Sequence, residues 1–284
     1  ERPPLDLVGF ALSGLGLATL MLGLASTGRQ LLPNGVSWGC LASGIVLLGL
    51  YLRHSRRVAH PVIRLDLLRY PTFRAAVTGG SLFRIGTGAI PFLLPLLLQV
   101  GFGLDALQSG LLTFAAAAGA LLIKVIGPRI LRAYGFRRVM LVNAIVASGF
   151  LAVNGLFTAQ TPHWIIVCTL LLGGCVRSLQ FTCVNAIAYA DLETRDMSAG
   201  TSLASVAQQL SLSLGVSIGA LALEASAGSH GRTAIQADDF WPAFVTVALI
   251  SAASFVAFRR LAPDAGAEVS GQRVAAGKPA AVEP

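Results

Sequence analysis

Eight apolar runs follow one another along the chain, at 5–26, 36–52, 75–100, 107–126, 139–157, 164–189, 198–224 and 240–258, parted by short polar or basic stretches. A hydrocarbon core about 30 Å thick takes roughly 20 apolar residues to cross as a helix. Each run is of that order. None shows the alternation of a membrane β-barrel. The predicted fold class is therefore all-α integral membrane, with eight transmembrane helices.

Basic residues test this layout, because they gather on the cytoplasmic side. With the N-terminus inside, the inner segments hold Arg2, then Arg53, Arg56, Arg57, Arg64, Arg69 and Arg74. They also hold Arg129, Arg132, Arg137, Arg138 and Arg195, and finally Arg259, Arg260, Arg273 and Lys278. Arg29 and Arg232 alone fall in outer connections, and Arg84, Lys124 and Arg177 inside spans. A missed span would destroy this asymmetry. The chain is thus expected in the cell (inner) membrane, with both ends of this segment cytoplasmic.

Composition narrows the classes further. Of the 284 residues, 55% are hydrophobic and 12% charged, against about 25% charged in soluble domains. Mean hydropathy is +0.73. The net charge of +8 reads as topology rather than nucleic-acid binding. Cys40, Cys168, Cys175 and Cys183 lie in apolar runs without paired His or carboxylate, which fits packing and not disulfides or zinc. The chain opens at Glu1 without a basic region before its first apolar run, and reads as the later part of a longer protein rather than as one with a signal peptide.

Four regions are expected: two linker spans over 1–52, a basic cytoplasmic linker over 53–74, a six-helix bundle over 75–260, and a disordered tail over 261–284. Within the linker, Pro61 and Pro71 bracket Val62, Ile63, Leu65, Leu67 and Leu68. This is either an interfacial helix with arginines toward headgroups or a linker whose leucines pack on neighbouring loops. Small residues recur at Ser211, Gly215 and Gly219, at Ala115 and Gly119, and more weakly at Gly35 and Gly39. Such strips permit close helix packing, or a sliding surface. Pro91 and Pro95 should bend or break the third span near its outer end.

Arg84 and Arg177 fall near the middle of the third and sixth spans. A central arginine costs about 2.5–3.5 kcal/mol on insertion scales, so each should face protein or water. Ser81 shares a face with Arg84; Gln180 and Asn185 follow Arg177; Ser202, Ser205, Gln208 and Gln209 form a polar band on the seventh span. These residues are expected around one hydrated cavity, with Ser81, Arg84, Arg177, Gln180, Asn185 and Gln208 as its lining. No acid lies mid-span, so the arginines want partners from absent helices, an anionic ligand, or carbonyls and water; tethering helices through carbonyls is the other reading. Lys124, near an inner end, is explained by snorkelling. The basic connection with Gly127, Arg132, Gly135, Arg137 and Arg138 is a topology signal or a gate loop latching helix C-termini. No HExxH, nucleophile elbow, P-loop or Cys-x-x-Cys is present, and no enzyme is expected.

The run Gly80-Ser81-Leu82-Phe83-Arg84-Ile85-Gly86-Thr87-Gly88-Ala89-Ile90-Pro91, with Arg177-Ser178-Leu179-Gln180-Phe181-Thr182 and Gly200-Thr201-Ser202-Leu203, resembles the major facilitator superfamily. Within it, the likeness is to fourteen-span drug:proton antiporters of the EmrB/QacA type. The resemblance implies the last eight of fourteen spans, with Arg84 and Arg177 on cavity-lining helices of the C-terminal half. It also implies proton-coupled efflux of drug-like or metabolite small molecules by alternating access, with the proton as coupling ion and no cofactor. Partners would be the bilayer, a small-molecule substrate and an N-terminal six-helix half, with no nucleic acid. The 127–138 connection departs from the family's gate-loop pattern: it has no Asp and is one residue longer. Alternatives are a non-transporting membrane fragment or scaffold, or an integral membrane enzyme.

Overall fold

The structure, a computed structural model, describes residues 6–29, 32–58, 61–232 and 234–270. Arg2, Arg273 and Lys278 lie outside the described residues, as does most of the expected tail. Among the described residues all regular structure is helical. Two helices, α1 (Leu7–Arg29) and α2 (Asn34–Ser55), form a hairpin. The bundle then follows as α3 (Pro71–Gly88), α4 (Ile90–Leu96), α5 (Ala106–Val153), α6 (His163–Ala188), α7 (Met197–Ser229), α8 (Phe240–Ala252) and α9 (Ser254–Arg259). A last turn, α10, covers Ala267–Ser270. Seven helical stretches are long and apolar enough to cross a bilayer.

One of the seven counts twice. At 48 residues, α5 would be roughly 70 Å long if straight, more than two hydrocarbon cores. Gly135 folds it back with φ 72° and ψ 162°, backbone angles open essentially to glycine alone. Ala116 of the first arm and Phe150 of the second both meet the Gly173–Gly174 step of α6, so the arms run antiparallel at one level. This gives eight crossings. The expected loop at 127–138 is corrected: helix persists through Gly127 and Pro128, and the turn is Gly135 itself. Asp105 starts the first arm, its carboxylate accepting the Gln108 N–H at 2.7 Å while the Gln108 side chain accepts the Asp105 N–H.

Small residues set how closely these helices approach. A Cβ on Gly119 would collide with the Leu171 carbonyl of α6, and one on Gly174 with the Ala116 carbonyl of α5. Gly215 does the same to Ile85 of α3, and Gly44 of α2 meets Leu20 of α1. With no hydrophobic drive between helices in lipid, such backbone proximity supplies the dispersion contacts that hold them. A Cβ added at Gly35 or Gly39 would meet nothing within 4 Å, so among the described residues that expected strip makes no close helix approach.

The third span breaks where its prolines require. Helix α3 stops at Gly88, α4 begins at Ile90, and a π-helical turn over Leu97–Gly101 follows Pro95. The linker expectation resolves toward packing: Leu65–Arg69 is a 3-10 turn whose Leu67 is fully buried in the core. The Ile63 N–H donates to the Tyr51 hydroxyl at 2.7 Å. Arg64 bridges Asp66 and the buried Asp196, both at 2.6 Å, tying the linker to the α6–α7 connection. The hairpin is tied on as well, since the Ser217 hydroxyl of α7 donates to the Leu24 carbonyl at 2.7 Å. The expected disordered tail is corrected over 261–270: Leu261 is buried, and Gly266, at φ 71°, lies against Phe136 and Ile187.

Two outcomes follow. Gly135→Val should lower stability by about 1–3 kcal/mol through backbone strain, whereas Gly110→Ala, with open space around it, should be neutral or slightly stabilising; thermal unfolding in detergent checks both. The Asp6 carboxylate accepts from His54 at 2.9 Å and from the Gly9 N–H, which hold it below its ordinary value of 3.8. A depressed folded value contributes stability fully present above the ordinary value and lost as pH falls through the folded one. Melting curves recorded below about pH 3.8 should therefore show less acid sensitivity in Asp6→Asn than in the native chain.

Candidate functional site

The two mid-span arginines face the same seam between α3 and α6, but at different depths. Arg84 is 4% exposed. Its Nη2 donates to Asn185 Oδ1 at 2.7 Å, and its guanidinium carbon lies 5.6 Å from the Phe181 ring centroid. Gly80 leaves room for this head group, since a Cβ there would sit 2.8 Å from Arg84 Nη1. The Nε of Arg84 is buried without a partner. A small cavity of about 20 Å³ adjoins the group.

Arg177 shares a cavity wall with Phe181. It lines a cavity of about 670 Å³ between α3–α4, the first arm of α5, α6 and α7. Pro91, Pro95, Phe181, Gln209 and Ser213 share that wall. Pro95 has no N–H to offer the Pro91 carbonyl, so the broken helix exposes polar backbone where a cavity can satisfy it. Among the described residues Arg177 has no hydrogen bond or ion pair, and no carboxylate lines the cavity. A half-buried cation facing a cavity without a counter-charge needs water or an anion there.

The Phe181 ring packs edge-on to Phe83, at 5.3 Å and 71°. Arg84 and Arg177 line separate cavities, of about 20 and 670 Å³, where a single vestibule was expected. Gln180 is corrected too. It is wholly buried, accepts from Asn143 Nδ2 at 3.0 Å and donates to the Met140 carbonyl at 3.3 Å. Its amide cross-links α6 to the second arm of α5 and lines no cavity with Arg177. Ser81 is half-buried and absent from the Arg177 chamber, and Gln209 takes the place expected of Gln208. Phe181, one turn beyond Arg177 on the same face, carries no polar signal that would mark it as part of the wall.

The basic residues around Gly135 point to three separate places. Arg132 joins Lys124 and Gly127 at a cavity of about 280 Å³. Arg137 Nη2 donates to the Arg259 carbonyl at 3.2 Å, the end of α9. That is the expected engagement of a helix C-terminus, made within the bundle rather than across to another half. Arg138 borders an apolar cavity of about 440 Å³. Among the described residues no group of three or more His, Cys, Asp or Glu could hold a metal.

A family model described as Major Facilitator Superfamily matches residues 76–284. The chain belongs to this superfamily. It is a multi-pass membrane protein of a transporter family. MdtD of Pectobacterium atrosepticum, named for multidrug resistance, is 31% identical over 261 residues, 91% of this chain and 56% of its own. MdtD of Shigella boydii is 33% identical over 269 residues, again 91% of this chain and 55% of its own. HsrA of Haemophilus influenzae, named as a transport protein, is 30% identical over 219 residues, 77% of this chain and 47% of its own. The chain spans about half the length of these relatives.

The chamber assignment is open to labelling. A cysteine at 177 should react with a water-soluble maleimide in membranes and one at 180 should not. Equal reactivity at both positions would contradict the burial of Gln180.

Proposed function

We propose that this chain forms the cavity-bearing C-terminal half of a secondary active transporter, with α1 and α2 as linker spans. It exports drug-like or metabolite small molecules in exchange for protons. The observation that carries the reading is Arg177, a guanidinium without a partner among the described residues, facing a chamber of about 670 Å³. Such a group is suited to the carboxylate, sulfonate or phosphate of a cargo, held bidentately. An anionic or zwitterionic cargo therefore fits this half better than a lipophilic cation. The likeness to MdtD over most of the chain supports the export assignment.

The rest of the mechanism follows from the family architecture. A second six-helix half closes the open side of the chamber, and the halves rock about a midplane site so that it faces each side in turn. The absence of mid-span carboxylates here assigns proton exchange to groups on that other half. On this reading both ends of the segment are cytoplasmic and the protein sits in the inner membrane, which the positive-inside asymmetry supports.

Transport by everted membrane vesicles with an imposed pH gradient is the test. Arg177→Ala should cut uptake of an anionic cargo about 10- to 100-fold, the ratio carried by one charge-assisted hydrogen bond, with Arg177→Lys in between. Flux indifferent to the pH gradient would remove the coupling. Flux unchanged in Arg177→Ala, with normal membrane insertion, would remove the site.

A further inference from the structure

The tip of the α5 hairpin carries a second binding feature, separate from the transport chamber. A cavity of about 440 Å³ runs along it, walled by Ile130, Val139, Leu141, Val142 and Leu179, with Tyr134 and Arg138 also on its border. The remaining polar group of the wall, Asn143, has its amide committed to the Val176 carbonyl at 2.7 Å and to Gln180. The inner surface is therefore dry. Tyr134 and Val142 are 60% and 65% exposed, so the cavity opens to the surroundings rather than into the bundle. Arg138 adjoins the Gly135 turn, at the end shared by both arms; in the positive-inside layout this is the cytoplasmic end, where a phenol and a guanidinium suit headgroup depth.

Charge selects the occupant. Helix α5 contains no Asp or Glu along its 48 residues. Arg129, Arg132 and Arg138 have no ion pair among the described residues. We propose that this groove binds one anionic phospholipid of the inner leaflet, an acyl chain lying in the cavity and the phosphate on Arg138 with the Tyr134 hydroxyl beside it. An apolar void facing lipid fills with hydrocarbon, and an unpaired arginine at its mouth favours a headgroup with net negative charge, since basic pockets between spanning helices on this side recognise such groups. The neighbouring cavity at Lys124 and Arg132 lies on the far side of Leu179, which borders both, and is not part of this site.

Native mass spectrometry of the purified 284-residue chain, exchanged into detergent with equimolar phosphatidylglycerol and phosphatidylcholine, reads the preference. Phosphatidylglycerol should be retained about fivefold over phosphatidylcholine, the ratio one basic residue supplies near an anionic surface. Arg138→Gln should bring the two to parity. Arg138→Lys should keep the preference, and so should Arg57→Gln, beyond the end of α2. Equal retention by the native chain, or a preference that survives Arg138→Gln, overturns the proposal. Location is read independently. With Trp38, Trp164 and Trp241 replaced by Phe, the emission of Tyr134→Trp in phosphatidylcholine vesicles should be quenched more by brominated phosphatidylglycerol than by brominated phosphatidylcholine. Equal quenching would place the lipid elsewhere and overturn the site.

Discussion

Hydrocarbon solvates neither a peptide group nor a guanidinium, and the architecture answers to that single constraint. Every crossing is a helix, because only a helix pairs its backbone within one segment. Where the third span breaks, between α3 and α4 and at Pro95, which has no N–H to give, the break abuts a cavity. The two mid-span arginines obey the same rule in different ways. Arg84 is solvated by protein, through Asn185 and the face of Phe181. Arg177 is left to whatever enters its chamber.

Close packing is the second consequence. Helices already surrounded by lipid gain nothing from burying leucine, so they are held by contacts that only a missing Cβ permits. Gly119 and Gly174 fix α5 on α6, and Gly215 fixes α7 on α3. These contacts bring Arg177, Gln209 and Pro91 to one wall although they come from distant parts of the chain. The chamber is thus a product of small residues that do not themselves touch its contents.

Much of this was legible in the residues. Run lengths and the distribution of arginines located all eight crossings, and the cost of central charge singled out Arg84 and Arg177. What failed was angular resolution. Gln180 is a neighbour of Arg177 in spacing, yet at 3.6 residues per turn it stands about 60° round the helix, on the face toward Asn143, while Phe181 stands about 40° away on the other side. Gln208 and Gln209 differ by about 100°, and Gln209 shares its stripe with Leu212, Ser213 and Val216. A Gly–Pro pair and clustered arginines imitate a loop at 127–138, but in a bilayer-facing helix Pro128 is tolerated and the turn falls to the one residue able to adopt φ 72°. The burial of Leu67 depends on a core cluster that also contains Tyr51, Phe73, Leu179 and Phe258, residues from distant parts of the chain that no local pattern brings together.

The α1–α2 hairpin is fastened to the bundle at both depths, by Ser217 to Leu24 within the membrane and by Arg64 to Asp196 beneath it. Two anchors so far apart leave it little freedom to swivel on its own. Any tilt of the bundle sweeps the hairpin with it, and the outer faces of Phe10, Trp38 and Ile45 plough the surrounding acyl chains as a keel would. Such a tilt would rearrange a wider ring of lipid than six helices alone would disturb, so membrane thickness and fluidity would bear on how readily it occurs.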